Sequence, residues 1–203
     1  MAEYSIAPLY DLLLYPFVHS LRLKLLRLCI EQSYSSILDV CCGTGRQLKM
    51  LRKHGFEVYG VDLSEEMLQE SKKGPFAPKC LLQDASAMSF DSESFAVSMT
   101  TFALHEKPKE IAQAIISEMI RVVQPGGQLI LTDFHFTSDS SKYSKSVIRA
   151  IEWTAGGEHY RNFKDYTSIG GVPQLIKGFP LVPVKTITAG LNSISIFVYK
   201  VHN

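Results

Sequence analysis

Two carboxylates, each closing an apolar segment, are the residues best placed to bind a ligand. The first lies in the run Ile37-Leu38-Asp39-Val40-Cys41-Cys42-Gly43-Thr44-Gly45, where small residues follow the acid. Gly43 and Gly45 permit positive φ angles and let a ligand approach the main chain closely. The second carboxylate, Asp62, follows Gly43 by 19 residues. Because one carboxylate can accept hydrogen bonds from both hydroxyls of a ribose, this spacing predicts a nucleoside-containing ligand, unless Asp62 only caps a helix near Ser64.

Two nucleoside ligands are compatible with this pattern, a dinucleotide and S-adenosylmethionine. A dinucleotide-binding turn has a third small residue where this chain has Leu48, and its pyrophosphate needs a strand end without negative charge. Asp39 instead suits a ligand that carries an ammonium and a sulfonium, because opposite charges attract strongly in a partly dehydrated site. These residues favour S-adenosylmethionine and disfavour an NAD-dependent oxidoreductase.

Such a site requires elements that place several strand ends side by side. Short apolar runs alternate with helical patterns along the middle of the chain. The runs are Ser36–Val40, Glu57–Asp62, Lys79–Gln83, Phe95–Thr100 and Gln128–Asp133, and the helical patterns are Arg46–Lys53, Glu65–Lys72 and Lys109–Val123. This alternation predicts a doubly wound α/β fold with a parallel sheet, in which ligands bind at the carboxyl ends of the strands.

The two ends of the chain follow other patterns. Apolar residues between Tyr10 and Glu31 have helical spacing that Pro16 interrupts, which predicts two short helices with a solvated basic face. Weak contact with a membrane surface is the alternative for that basic face. Leu181–Ala189 and Ser193–Val201 predict an antiparallel hairpin at the edge of the sheet.

Composition sets broad limits on the function. The 203 residues are 46% hydrophobic and 20% charged, which is typical of a globular domain and excludes a disordered or collagen-like chain. A net charge of +1 provides no field for a polyanion, so nucleic acid is not expected as a partner. The four cysteines form no zinc-type spacing, and we predict no metal site. With neither a signal peptide nor a membrane span in the sequence, we expect a cytoplasmic protein without stable membrane insertion.

Four motifs in order resemble the class I S-adenosylmethionine-dependent methyltransferases, in the branch that includes the menaquinone and ubiquinone biosynthesis methyltransferases. They are the run at 37–45, Val-Tyr-Gly-Val-Asp-Leu-Ser at 58–64, Gln-Asp-Ala at 83–85, and 118–134 with its Gln-Pro-Gly-Gly. The resemblance covers about residues 35–137 and implies a Rossmann-like, seven-stranded mixed sheet of order 3-2-1-4-5-7-6. We expect one domain over 1–203, with a helical cover at 1–34, a cofactor-binding core at 35–137, a substrate flap at 138–178 and an edge hairpin at 179–203.

The resemblance also implies which residues hold the cofactor. The methionyl part would contact Asp39 and the backbone around Cys41 to Gly45, and Asp62 would bind the ribose. The remaining contacts would be Leu63 and Met67 on the adenine face, Asp84 and Ala85 at the adenine edge, Thr100 beside the sulfonium, and Tyr10 as a cover over the cofactor unless it packs in the core. The family has glycine at the position of Cys41, which we interpret as an inert small residue.

After the fourth strand, the segment 100–106 lacks the Asn/Asp-Pro-Pro-Tyr/Phe signature of methyltransferases that act on nucleic-acid or glutamine amines. This leaves methylation of a small molecule at oxygen, carbon, nitrogen or sulfur, with S-adenosylhomocysteine as the product. His105 is the candidate base, as a neutral imidazole, and solvation or helix capping is its alternative. His159 and Tyr160, with Asn162, are further candidates at the substrate site, or they fasten the flap by hydrogen bonds.

The aromatic residues weakly favour an apolar or aromatic acceptor. They are Phe102, Trp153, Tyr160 and Phe163. A binding module that holds S-adenosylmethionine without turnover is the alternative to an enzyme.

Overall fold

The computed structural model describes residues 7–202, with side chains from Val18 onward. The strands, numbered β1 to β7 along the chain, are Ser36–Val40, Glu57–Asp62, Lys79–Leu82, Phe95–Thr101, Val123–Phe134, Leu181–Ala189 and Ile194–Val201. They form one sheet of order β3-β2-β1-β4-β5-β7-β6, which confirms the expected order. Neighbours among β1 to β5 pair in parallel, and β7 runs antiparallel between β5 and β6.

The helices connect and cover these strands. Numbered α1 to α7, they are Ala7–Gln32, Arg46–Lys53, Glu65–Ser71, Lys109–Arg121, Lys142–Thr154, Gly157–Ser168 and Val172–Leu175, and a 3-10 turn covers Leu104–Glu106. Among the described helices, none is both long and apolar enough to cross a lipid bilayer.

The central strands form the core because they are apolar on both faces. Ile37, Leu38 and Val40 of β1 are fully buried, as are Leu129–Leu131 of β5. A parallel sheet covered by helices on both sides requires this continuous apolar pattern. Burial of each such side chain stabilises the fold by about 1.5–3 kcal/mol.

The strand register brings the acidic strand ends to one edge of the sheet. Val40 at the end of β1 pairs with Val61 of β2 and with Thr100 of β4. The carboxyl ends of three neighbouring strands therefore lie side by side, and Asp39 and Asp62 belong to adjacent strands at that edge.

β5 begins five residues earlier than the predicted Gln128–Asp133. Val123 pairs with Phe95 and Gln128 pairs with Val97, so a bulge absorbs the intervening Pro-Gly-Gly segment. Gly127 lies where a Cβ would be only 2.6 Å from the Ala96 carbonyl oxygen, which explains why a residue without a side chain is needed there.

One expectation about the flanking segments is wrong. The two short N-terminal helices are one helix, α1, which continues through Pro16, because an internal proline removes one hydrogen bond and kinks a helix without forcing it to end. The insertion after β5, the expected flap at 138–178, folds into α5, α6 and α7. Gly156 and Gly171, both with positive φ, join these helices.

Candidate functional site

A left-handed turn follows β1 at the acidic edge of the sheet. Cys41, Gly43 and Gly45 have φ angles of 59°, 53° and 65°. A Cβ at Gly43 would meet no described atom within 4 Å, whereas one at Gly45 would lie 3.1 Å from the Ser71 Cβ. The turn is thus packed against α3 at Gly45 and open at Gly43, which leaves its backbone accessible to a ligand.

Asp39 is the buried acid of this edge. Its side chain is 3% exposed, and its Oδ1 has no hydrogen-bond partner among the described residues. Burial, followed by the negative charges of Cys80 and Asp62, raises the pKa of Asp39 to about 8, against an opposing effect of Arg22. A buried oxygen without a partner is costly, and an ammonium group of a ligand is the partner that would remove this cost. Asp39 therefore fits the amino group of S-adenosylmethionine.

Asp62 organises the turn through its two carboxylate oxygens. Gly43 N–H donates to Oδ2 at 2.7 Å, and Ser64 N–H donates to Oδ1 at 2.9 Å. The cap of α3 is Ser64 itself, whose hydroxyl accepts from Met67 N–H at 3.3 Å, so Asp62 is not the capping residue. Each carboxylate oxygen can accept a second hydrogen bond, which leaves Asp62 able to bind a ribose while it holds Gly43.

The residues predicted to surround an adenine lie beyond β2 and β3. Leu63 is 66% exposed, an unusual position for a large apolar side chain, and Met67 is half-buried. Asp84 is exposed, and its Oδ1 accepts two hydrogen bonds from Ser86, which lower its pKa. Ala85 is buried. An exposed apolar surface beside a carboxylate suits a flat base with an exocyclic amine.

Two further predicted cofactor residues have different outcomes. The Thr100 hydroxyl is buried and donates to the Val40 carbonyl at 2.8 Å, so it joins β4 to β1. The side chain of Tyr10 lies outside the described residues.

Three cysteines lie around the turn. Burial raises the pKa of Cys41 to about 12, so its thiol stays protonated. Cys42 Sγ lies 3.7 Å from Cys80 Sγ and donates to it, which lowers the pKa of Cys80 to about 7. A Cβ at Gly60 would be 2.7 Å from Cys42 Sγ and 2.7 Å from Leu48 Cδ1. The turn therefore packs directly on the glycine of β2.

A second group of polar side chains lies after β4 and β5. We call it the histidine cluster and define it as Asp133, His105, Glu152 and His159. His105 Nδ1–H donates to Asp133 Oδ1 at 2.6 Å, and His105 Nε2 lies 3.4 Å from Glu152 Oε2. His159 Nε2 lies 2.5 Å from the same Glu152 oxygen. The structure thus brings two of the predicted catalytic residues, His105 and His159, onto one carboxylate.

The protonation state of His105 differs from the neutral imidazole that we expected. Burial lowers the pKa of His105, but Asp133 and Glu152 more than compensate and raise it to about 10. Burial likewise raises the pKa of Glu152, and the two imidazoles bring it down to about 2. In this arrangement His105 is a cation at neutral pH rather than the neutral imidazole that a base requires.

Aromatic rings surround the histidine cluster. The His105 ring lies 4.7 Å from Phe134 and 6.0 Å from Phe163, measured between centroids. Tyr160, the third predicted catalytic residue, stacks on Phe163 at 6.1 Å. Asn162 donates to the Glu106 carbonyl at 2.8 Å and so fastens α6 to the 3-10 turn, the alternative role considered for it.

Sequence reasoning missed Asp133 and Glu152. The sequence could have indicated Asp133, since it lies at the end of an apolar strand as Asp39 and Asp62 do. The sequence could not have indicated Glu152, because no neighbouring residue shows that α5 places it against His105, 47 residues earlier in the chain.

Two surface concavities lie away from the acidic edge. One is lined by Ser36, Glu57 and Phe95, which begin β1, β2 and β4, so it opens at the amino ends of the strands. The other lies between α6 and the segment 104–112. Because ligands of open α/β sheets bind at the carboxyl ends of the strands, we do not assign a ligand site to the first concavity.

The chain is similar in sequence to known methyltransferases. Residues 37–127 match the family model described as a methyltransferase domain. The malonyl-[acyl-carrier protein] O-methyltransferase of Salmonella typhimurium is 36% identical over 108 residues, which cover 53% of this chain and 42% of that protein. The demethylmenaquinone methyltransferase of Thermus thermophilus is 33% identical over 145 residues, which cover 64% and 63%. The chain spans about half the length of most of the curated relatives that it matches.

Solved structures share the fold at low sequence identity. The PH0226 protein of Pyrococcus horikoshii has a TM-score of 0.68 at 18% identity and covers 88% of each chain. The magnesium protoporphyrin IX methyltransferase of Synechocystis with bound SAH has a TM-score of 0.64 at 17% identity, covering 89% of this chain and 82% of that one. These similarities confirm the Rossmann-like fold.

Proposed function

We propose that the protein transfers a methyl group from S-adenosylmethionine to a small, apolar or aromatic acceptor, since residues 37–127 match the model of a methyltransferase domain. The observation that carries the proposal is the buried Asp39 oxygen without a described partner, beside a turn with three left-handed residues. A dinucleotide would bring its anionic pyrophosphate to an edge that already holds two carboxylates, Asp39 and Asp62. A cationic ligand is electrostatically favoured there.

Each proposed cofactor contact uses a group that the fold leaves available. Asp39 accepts from the ligand ammonium, and the backbone at Cys41, Gly43 and Gly45 lies against the methionyl chain. Asp62 accepts from the ribose hydroxyls through lone pairs that its bonds to Gly43 and Ser64 do not use.

The adenine would lie between the two exposed strand ends beyond β2 and β3. Leu63 and Met67 cover its face, Asp84 accepts from its amine, and the Ala85 N–H meets a ring nitrogen. Thr100 contributes its backbone and methyl group beside the sulfonium, since its hydroxyl is engaged by Val40.

When bound, S-adenosylmethionine would supply an electrophilic methyl group: the acceptor atom would bond to the methyl carbon in line as the carbon–sulfur bond breaks, S-adenosylhomocysteine would leave, and any proton on the acceptor atom would go to solvent. The protein's own task is to hold the acceptor atom about 3–3.5 Å from that methyl carbon. We place the acceptor at the flap formed by α5 and α6, where His159 is 24% exposed and Tyr160 is half-buried above the aromatic rings. His105 lies deeper and would position the acceptor-facing groups.

An apolar or aromatic acceptor is supported by two observations. Phe102, Phe134, Phe136 and Phe163 form contiguous ring contacts on this side of the sheet. Relatives include a demethylmenaquinone methyltransferase and the 2-methyl-6-phytyl-1,4-hydroquinone methyltransferase of Synechocystis, which is 28% identical over 165 residues.

The experiment combines ligand binding with a transfer assay. Thermal unfolding of the purified protein is followed with S-adenosylhomocysteine and with NADH, and a ligand that binds the native state raises the transition temperature. Transfer of an isotopically labelled methyl group is then measured against a panel of quinols, phenols and acyl carboxylates. We expect stabilisation by S-adenosylhomocysteine alone and transfer to at least one aromatic acceptor.

Three outcomes separate the alternatives. Stabilisation by NADH instead would support the oxidoreductase. Binding of S-adenosylhomocysteine without transfer to any member of the panel would favour a non-catalytic binding module. Absence of both responses would contradict the proposed function.

A further inference from the structure

We propose that His105, Glu152 and His159 form a site for one divalent transition metal ion of the zinc class. The three ligand atoms are the two histidine Nε2 atoms and a Glu152 carboxylate oxygen, and all lie within 4.8 Å of one another. This set of two imidazoles and one carboxylate is used by zinc enzymes and by non-haem iron(II) enzymes. It leaves at least one coordination position open.

The spacing of the ligand atoms agrees with tetrahedral coordination. Ligands about 2.0–2.1 Å from a zinc ion lie about 3.4 Å from one another in a tetrahedron. His105 Nε2 and Glu152 Oε2 already have that separation, 3.4 Å. His159 Nε2 is closer to Glu152 Oε2, at 2.5 Å, and must move outward by about an ångström to admit an ion. His159 is the exposed member of the three and lies in the first turn of α6, so this movement requires no repacking of the core.

Asp133 completes the arrangement as an orienting group. Its Oδ1 accepts from His105 Nδ1–H, which fixes the imidazole ring so that Nε2 faces Glu152. Metal-binding histidines characteristically donate their other N–H to a carboxylate in this way. Asp133 is itself held by the backbone N–H groups of Leu104, His105 and Phe134. A carboxylate with this many fixed donors is a rigid support for a ligand.

The charges of the histidine cluster also suit a divalent ion. Asp133 and Glu152 place two carboxylates in a region where both are at most 3% exposed. Buried charges need compensation by opposite charges or by a metal. One divalent cation with two neutral imidazoles balances the two carboxylates, and the rings of Phe134 and Phe163 keep water away from the other side.

The open coordination position indicates what the ion would do. His159, the most exposed of the three ligands, lies on the flap where the acceptor is proposed to bind. An acceptor hydroxyl at that position would release its proton to solvent more readily, because the cation stabilises the oxyanion. This role rests on the proposed function, whereas the metal site itself does not.

The test is a metal titration of tag-free protein that has been stripped with a chelator. Co²⁺ is added first, since its visible absorption is intense in four-coordinate sites and weak in six-coordinate ones, and Zn²⁺ is then used to displace it. We expect one ion per chain, an intense Co²⁺ spectrum, and full displacement by Zn²⁺. The variants His159→Ala and Glu152→Gln should each weaken binding by more than tenfold, and Asp133→Asn by about 10–100-fold. His54→Ala, at an exposed histidine after α2, is the matched control and should bind as the wild type does.

Several outcomes would overturn the proposal. Two results on the wild type alone would be enough. One is the absence of stoichiometric Co²⁺ or Zn²⁺ binding, and the other is an X-ray absorption spectrum that shows sulfur ligands from the cysteines near the turn. Binding that survives both His159→Ala and Glu152→Gln also overturns it. S-adenosylhomocysteine binding is measured on the same samples: if it persists while the metal does not bind, the metal site fails and the proposed function stands.

Discussion

The proposed contact between Asp39 and the ligand ammonium predicts that cofactor binding depends on pH. Its pKa is raised to about 8 in the ligand-free protein by burial and by its acidic neighbours Cys80 and Asp62, with Arg22 acting in the opposite direction. An ammonium group beside Asp39 requires the ionised carboxylate. Below pH 8, binding of S-adenosylhomocysteine must therefore release a proton from Asp39.

The size of this effect follows from the pKa. Below the pKa, the ionised fraction of Asp39 rises tenfold per pH unit, which corresponds to about 1.36 kcal/mol of binding free energy per unit. Between pH 5.5 and 7.0 the affinity should rise by about 30-fold. The ligand's own amino group stays protonated over this range, so it does not contribute to the change.

Isothermal titration calorimetry measures both quantities. Titrations in two buffers with different ionisation enthalpies give the number of protons released, which should be about one at pH 6.5. Asp39→Asn, which keeps the shape of the side chain, should bind more weakly at pH 7 and show no slope. An affinity that is independent of pH in the wild type, or an equal slope in Asp39→Asn, would refute this reasoning.

The remaining predictions concern the turn, its packing and the folded state. Asp62→Ala should weaken S-adenosylhomocysteine binding by about 1–3 kcal/mol, because it removes charged hydrogen bonds to the ribose and the support of the turn. Gly60→Ala should destabilise the protein by about 1–3 kcal/mol, since its Cβ would overlap three side chains, while Gly157→Ala, where a Cβ meets no described atom within 4 Å, should be neutral or slightly stabilising. Iodoacetamide should alkylate Cys80 first, because its pKa is about 7 while burial raises that of Cys29 to about 12. Without ligand, the wild type should lose folding stability relative to Asp39→Asn as pH rises from about 4 to 8, because the folded state holds the Asp39 proton more tightly than the unfolded state does.

For each of these predictions, one result would contradict it. Calorimetry showing unchanged affinity in folded Asp62→Ala would remove the ribose contact. Equal denaturation midpoints for Gly60→Ala and Gly157→Ala would contradict the close packing at β2. Peptide mapping by mass spectrometry that finds Cys29 alkylated before Cys80 would contradict the thiol pair, and parallel pH profiles of wild type and Asp39→Asn would contradict the raised pKa.

The local sequence pattern predicted the strands and the helix that form the proposed cofactor site. The bounds of β1, α2 and β2 agree with the predicted Ser36–Val40, Arg46–Lys53 and Glu57–Asp62. Strand and helix periods differ sharply there, and the small residues at 41–45 mark the turn between them. The order of the strands came from the family resemblance, since periodicity carries no information about which strands pair.

The histidine cluster could not be predicted because it depends on tertiary packing. His105 and Asp133 are 28 residues apart, and Glu152 belongs to an insertion whose polar and aromatic composition concealed its helices. A periodic pattern shows which face of a helix is apolar, but it does not show that a charged residue such as Glu152 is buried against two histidines. The continuous α1 was not predicted because Pro16 interrupts the helical spacing. A helix can nevertheless continue through one internal proline at the loss of one hydrogen bond.

A crystal structure with S-adenosylhomocysteine tests the binding edge most directly. The ligand ammonium should lie within hydrogen-bond distance of Asp39 Oδ1, the ribose hydroxyls should reach Asp62, and the adenine should cover Leu63. A ligand bound away from the carboxyl ends of β1 and β2, or one whose ribose makes no contact with Asp62, would contradict the proposed function at its central point.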